Sequence, residues 1–300
     1  MHDTLIDSVT IRDVALRDGL QIEEPISTSA KLELLESICA AGVREVEVTA
    51  FVSPSKVPAL ADAAELCRHL DDYPDVSFSA LVASVNGARR AIDAGLKHLE
   101  YVVSAADGHS RANVGRSTAE STELINEIVA VAHAAEASVE VIIATAWDCP
   151  FDGPTAPGRV TAIVERAVAA GADRISIADT IGTTTPRRVS SLVAQVAPLI
   201  GELPLGAHFH NTRGAGLASA YAAVQAGISR LDASVGGLGG CPFAPGASGN
   251  IATEDLVYLL RDCEIETGID LDAAIRAGRV AIGAVGGGSG SALMRAGDRR

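Results

Sequence analysis

Two histidines, His208 and His210, stand two positions apart at the end of an apolar run that begins at Leu205. On a β-strand that spacing sends both imidazoles to one face. Two imidazoles on one face make half of a metal site if a hard oxygen donor comes near. Asp18 can supply a carboxylate oxygen and Asn250 a side-chain carbonyl. A mixed nitrogen and oxygen set suits Mg²⁺, Mn²⁺ or another octahedral divalent ion better than thiolate-rich zinc. The competing reading is a pair of core histidines satisfied by hydrogen bonds. Arg17, directly before Asp18, either closes a salt bridge or holds an anionic oxygen. Beside a metal it would stabilise an enolate, because both groups place positive charge where negative charge develops.

A second group of residues lies downstream. Between Gly236 and Asn250 there are six glycines in fifteen residues, with Cys241 in their midst. Such a segment cannot pack a core, and it reads as a loop able to close over a substrate. A cysteine on it can exchange protons with a bound substrate, or it can be an incidental thiol. Cys149 follows another β-rich run and is read as structural, and Cys39, Cys67 and Cys263 fall in helical segments as packing residues. Among the lysines, Lys97 precedes a strand and only Lys56 follows one, so an imine mechanism has little support.

These residues need a scaffold. Eight β-rich runs alternate with Ala-rich amphipathic stretches: Val9 to Leu16, Glu45 to Thr49, Val76 to Val82, His98 to Val103, Ser138 to Ala144, Arg174 to Ala178, Leu205 to His210 and Arg230 to Ser234. Segments such as Lys31 to Ala41 and Ala156 to Ala170 carry the helical period, and Gly42, Gly95, Gly171 and Gly227 stand where helices should stop. The alternation predicts parallel strands closed into a (β/α)8 TIM barrel over residues 1–270. An open doubly wound sheet is the alternative, but Arg17-Asp18-Gly19-Leu20-Gln21 after the first run is not a dinucleotide-binding turn. Residues 271–300 are expected to add a short C-terminal helical extension, Leu271 to Ile282, and a glycine-rich tail. Active sites of such barrels lie at the C-terminal strand ends. That rule gathers Arg17, Asp18, Glu47, Asp179, His208 and His210 at one mouth.

The totals limit the rest. Hydrophobic residues make up 48% of the chain and aromatics only 3%, so Ala, Val, Leu and Ile must fill the core. A net charge of −14 argues against a nucleic-acid partner but leaves room for an anionic substrate in a locally positive pocket. Five scattered cysteines do not read as a disulfide framework, and a reducing compartment fits them. No apolar run reaches membrane-spanning length and the first residues do not read as a signal peptide, so a cytoplasmic protein with no membrane partner is expected.

Five motifs in order resemble hydroxymethylglutaryl-CoA lyases. They are Arg17-Asp18-Gly19-Leu20-Gln21, Phe51-Val52-Ser53-Pro54 with Val57-Pro58, Asp179-Thr180-Ile181-Gly182, His208-x-His210, and Gly237-Leu238-Gly239-Gly240-Cys241-Pro242. The resemblance runs from about Val9 to about Leu260. It implies a retro-Claisen cleavage of 3-hydroxy-3-methylglutaryl-CoA to acetyl-CoA and acetoacetate, a place in leucine degradation, a homo-oligomer, and a Mg²⁺ or Mn²⁺ cofactor. It implies Asp18, His208, His210 and Asn250 as metal ligands. Arg17 would hold the enolate, with Gln21 beside it on the substrate. Cys241 would serve proton transfer, His208 would be the candidate base, and Glu47 and Asp179 would support the site. Related aldolases and acyl-CoA condensing enzymes share the barrel and histidines without the cysteine loop. Asp13, Ile22 and Asn211-Thr212-Arg213 depart from the family pattern. Ile22 and Arg213 border the site, which leaves a longer or branched 3-alkyl chain open.

Overall fold

The computed structural model describes residues 6–240, 249–287 and 290–299. Eight parallel strands close into a barrel: β1 (Thr10–Asp13), β2 (Glu45–Phe51), β3 (Ser77–Val82), β4 (His98–Ser104), β5 (Ser138–Ala144), β6 (Arg174–Asp179), β7 (Leu205–Phe209) and β8 (Arg230–Ala233). Each strand pairs with its sequence neighbours, and β1 closes the ring on β8 with Thr10 opposite Arg230 and Asp13 opposite Ala233. The expected (β/α)8 barrel is therefore the fold, and the open sheet is excluded.

The helices between strands are α1 (Thr28–Ala40), α2 (Ala63–Cys67), α3 (Val85–Asp93), α4 (Asp107–Val114), α5 (Thr118–His133), α6 (Pro157–Ala169), α7 (Pro186–Ile200) and α8 (Gly216–Gln225). Local chemistry sets their ends. Ser27 accepts from Ala30 N at the start of α1, and Ser117 with Glu120 forms a capping box at α5. Gly42, Gly95, Gly171 and Gly227 all have φ between 83° and 100°, as the stop signals require.

Alternation sorts the strand residues into two layers. On β4, Leu99, Tyr101 and Val103 are buried against helices, and on β5 so are Val139, Val141 and Ile143. Each such aliphatic side chain contributes roughly 1.5–3 kcal/mol of burial. The inward residues are different from the expected aliphatic filling. Near the N-terminal end the interior is a charged plug around Arg12. Its Nη1 donates to Glu100 Oε1 (2.6 Å) and Glu140 Oε2 (2.8 Å), and its Nε and Nη2 donate to Asp232 Oδ1 (2.9 Å) and Oδ2 (3.0 Å). Ser79 Oγ donates to Glu100 and Ser176 Oγ to Glu140. Arg230 joins Glu45 and Glu140 beside them. Gly206 on β7 leaves room for this plug, because a Cβ there would collide with Ser176 Oγ. Composition alone did not reveal it, since an acid at an inward strand position counts the same as one on the surface.

After β8 come α9 (Thr253–Asp262) and α10 (Leu271–Ala284). α10 packs on α1, where Ala273 and Ala274 meet Ala41. The glycine-rich stretch read as a tail is followed by one more helix, α11 (Ala292–Ala296). Asp255 accepts from Ala292 N (3.0 Å) and Leu293 N (2.8 Å), which ties this helix to α9. Among the described residues no helix is long and apolar enough to cross a membrane.

Candidate active site

The first polar residues of the mouth do not continue β1. After Asp13 the chain enters a π-helical turn, Ala15–Gly19, in which Gly19 N bonds Val14 O (3.0 Å) and Leu20 N bonds Ala15 O (3.0 Å). The sequence reading ended a strand at Arg17 and Asp18, whereas the wide turn carries them. Such turns are rare and recur at functional sites. Ala15, Leu16 and Leu20 anchor the turn in the core and leave Arg17 and Asp18 facing the barrel mouth.

Asp18, His208 and His210 converge. One ligand atom from each lies within 4.8 Å of the others, and all three residues are buried. The two rings stand 5.0 Å apart, centre to centre. Asn250 reaches them through backbone pairing. It bridges antiparallel to His210, with Asn211 N on Gly249 O (3.0 Å) and Ile251 N on Phe209 O (3.2 Å). Its Nδ2 donates to Asp18 Oδ2 (2.8 Å) and to Leu238 O (3.0 Å). Gly239, at φ 121°, lies close above, where a Cβ would come within 2.7 Å of Asn250 Nδ2. Only glycine lets the backbone cross so near the cluster.

The charges are uneven. Arg17 binds Asp18 Oδ1 through Nη1 (2.6 Å) and Glu47 Oε1 through Nε (2.6 Å), and it donates to Gln21 Oε1 (3.3 Å). Burial pushes the Asp18 carboxyl up, but Arg17 and the hydrogen bond from His210 outweigh it and hold Asp18 well below the usual carboxylate range. Glu47 goes the other way. Its burial dominates the pull of Arg17, and Glu100 beside it adds to the rise. Asp232, held down by Arg12 against its own burial, accepts from His208 Nδ1 (3.1 Å).

Among the buried polar atoms that lack a hydrogen-bond partner within the described residues are His210 Nδ1 and Asn250 Oδ1, both on residues of the ligand cluster. A buried unpaired acceptor costs about 1–3 kcal/mol. Asn250 Oδ1 is next to the Asp18 and histidine donors, so a cation there would satisfy it. The donor set thus fits a divalent ion on the chemistry of its atoms: carboxylate and amide oxygens with imidazole nitrogens.

The structure brings together Arg17, Asp18, Gln21, Glu47, His208, His210 and Asn250. Asp179 ends β6, but its oxygens are taken by Thr183 N (3.0 Å) and Thr184 N (2.9 Å). It therefore shapes the following turn. Cys241 lies outside the described residues. Cys149 is buried, and Phe151 N donates to its Sγ (3.4 Å), as a packing residue would allow. Lys56 is exposed. Sequence reasoning missed Asp232 and Arg12. The available signal was strand parity: Asp232 shares its inward face with Arg230, and Arg12 with Thr10.

Comparison with known proteins places this site in context. The HMGL-like family model matches residues 8–280. An (R)-citramalyl-CoA lyase of Chloroflexus aurantiacus is 42% identical over 91% of this chain and 89% of its own length. The mitochondrial hydroxymethylglutaryl-CoA lyase of Macaca fascicularis is 38% identical over 92% of this chain and 85% of its own. An HMG-CoA lyase from Acenitobacter baumannii, solved in complex with coenzyme A and 3-methylmalate, superposes with a TM-score of 0.93 at 38% identity. That superposition covers 98% of this chain and 96% of that one. The chain belongs to the HMGL-like family and is a carbon–carbon lyase.

Proposed function

We propose that this lyase cleaves 3-hydroxy-3-methylglutaryl-CoA to acetyl-CoA and acetoacetate with a bound divalent cation, Mg²⁺ or Mn²⁺. The observation that carries the reading is the buried Asp18, His208 and His210 cluster with the unpaired Asn250 Oδ1 beside it. These four side chains would hold the ion. When bound, the ion would supply Lewis acidity to the hydroxyl and carboxylate oxygens of the substrate. Arg17 would face the thioester oxygen and hold the charge that develops there as the carbon–carbon bond breaks. Glu47 would keep Arg17 in place through Nε, and Gln21 would keep its Nη1 aimed at the mouth. Cys241 would deliver the proton to the leaving carbon, and Asp179 would support the site by fixing the turn after β6. We assign His208 to ligation and not to proton abstraction, so the hydroxyl proton lost as the ketone forms would pass to solvent water. Its Nδ1 is taken by Asp232, and its second nitrogen is the one left for the ion.

A second substrate is favoured by one observation, the 42% identical citramalyl-CoA lyase. Citramalyl-CoA is one methylene shorter between the carbinol carbon and the free carboxylate. The same bond cleavage would then give pyruvate and acetyl-CoA. A 3-hydroxy-3-alkylglutaryl-CoA with a longer chain would give a longer 3-oxo acid. The test is product identification by mass spectrometry from the three thioesters, after metal removal and again with added Mg²⁺ or Mn²⁺. Acetoacetate released only with metal is the expected result. Release of pyruvate from citramalyl-CoA alone, or turnover unchanged by thorough chelation, would overturn the proposal.

A further inference from the structure

The two histidines of the cluster are held differently on the side away from the site. His210 Nδ1 has no partner among the described residues. His208 Nδ1 faces Asp232 Oδ2 at 3.1 Å. Asp232 is itself clamped from below, with Arg12 donating to both of its oxygens at 2.9 and 3.0 Å. Arg12 is fixed in turn by Glu100 and Glu140. The plug also reaches Arg17. Glu100 lies beside Glu47, which binds Arg17 Nε. Two runs of contacts result, Glu47 to Arg17 to Asp18 and Glu100 to Arg12 to Asp232 to His208, and they meet at the ligand cluster.

We propose that Asp232 is a positioning residue for the metal site, which holds the Nδ1–H of His208 so that Nε2 presents its lone pair to the ion, and that Arg12 locks Asp232 in that task. The inference rests on the metal reading above and names what sets one of its ligands. The chemistry follows from donor counting. Both oxygens of Asp232 receive N–H groups from Arg12, so this side chain must be an acceptor throughout. An acceptor opposite Nδ1 requires the hydrogen on Nδ1 and leaves Nε2 free of one. An imidazole with its hydrogen on Nε2 cannot bind a metal there. His210 has no such partner, so its orientation depends on Asp18 and on the ion.

An asparagine at position 232 discriminates. It has the size of aspartate but only one acceptor oxygen. Placed next to Arg12, that oxygen turns the amide N–H₂ toward His208, which then carries its hydrogen on Nε2. Placed next to His208, it sets the N–H₂ against the Arg12 donors. Either arrangement weakens metal binding.

The experiment uses the full chain. In ¹⁵N-labelled wild type at pH 8, with His208 assigned by the His208→Gln spectrum, the Nδ1–H form is expected. An Nε2–H form or a fast mixture would overturn the proposal, and this arm needs no folded variant at position 232. The second arm titrates Mn²⁺ alone by calorimetry into wild type and Asp232→Asn, each checked by thermal melting. Affinity is expected to fall about 10–100-fold, the usual cost of losing such a support. Equal affinity in a folded Asp232→Asn would also overturn it. Absence of Mn²⁺ binding to wild type would sink the metal reading itself, while the tautomer measurement would still decide the role of Asp232.

Discussion

The two ends of this barrel handle buried charge in opposite ways. At the N-terminal end, Arg12 is surrounded by Glu100, Glu140 and Asp232, and Ser79 and Ser176 donate to the two glutamates. Each charged group there has an opposite charge against it, although Glu100 Oε2 and Arg230 Nε are left without a hydrogen bond. At the C-terminal end, Asn250 Oδ1 and His210 Nδ1 are buried without partners among the described residues, and Glu47 is pushed up by its own burial. Folding would not retain that cost without a use for it. The end built on Arg12 is architecture, closed by opposite charges, and the other end groups metal-ligating atoms that the protein does not pair among themselves. Asp232 belongs to both, since it faces Arg12 below and His208 above.

The comparison can be broken by substitution. The largest effect is expected from His210→Gln at the unpaired end. Turnover should fall by at least about 10³-fold, equivalent to about 4 kcal/mol, while the melting temperature moves by only a few degrees. Steady-state rates at saturating Mn²⁺ together with calorimetric melting check it. A large loss of stability would mean that the ring was a core residue after all.

Arg12→Met should do the reverse. It leaves Glu100, Glu140 and Asp232 as buried charges without their common partner, which costs about 3–5 kcal/mol. Denaturant unfolding would show this as a lower midpoint. An unchanged midpoint would mean that the plug is wet and weakly coupled to folding.

Arg17→Met tests the boundary between the two behaviours. Arg17 makes ion pairs as the plug does, but it faces the site. If it holds charge in the transition state, kcat should drop about 10²–10³-fold, or about 3–4 kcal/mol, with KM little changed. Equal weakening of kcat and stability would move it to the architectural class.

The smallest effect concerns pH. Glu254, fully buried behind the Gly236 turn, has its carboxyl raised by burial to about 7, although Ser291 and the Gly236 N–H oppose the rise. Its folded pKa lies above the unfolded value, so the folded protein binds this proton more tightly. The resulting stabilisation is complete below about pH 4.5 and is lost as pH rises toward 7. Asp13, raised by burial to about 6, acts in the same direction over a lower range. The shift at Glu254 corresponds to on the order of 3 kcal/mol. Relative to wild type, Glu254→Gln should gain stability as pH rises from 5 to 7.5. A constant difference across that window would show that Glu254 titrates normally.

Much of the scaffold was legible because its signals are local. Each strand is a short apolar run, each helix repeats at its own period, and Gly42, Gly95, Gly171 and Gly227 punctuate the order. Every one of these can be read within a window of about fifteen residues. The ligand pair was legible for the same reason, since His208 on β7 and His210 just past its end are two apart in the chain. The β-rich run Val9 to Leu16 was misjudged at its end. Ala15 and Leu16 are apolar and suit a strand as well as a buried turn, and nothing local distinguishes the π-helical turn that carries Arg17 and Asp18.

The sequence by itself determined the alternation, and through it the closed barrel, the family motifs and the set of hard donors. It also determined that the acid at 18 and the histidines at 208 and 210 would fall at the same end of their strands, because strand direction is shared in a parallel barrel. Tertiary structure alone decided what stands behind them. Asp232 meets His208 because β7 and β8 run side by side in register, with Asp232 opposite His208. Arg12 meets Glu100 and Glu140 because β1, β4 and β5 face one another across the barrel. Those partners lie 24, 88 and 128 positions apart, so no local period encodes them. They exist only once closure of the ring turns inward faces on distant strands into a single buried volume, where every charge must find a partner or a purpose.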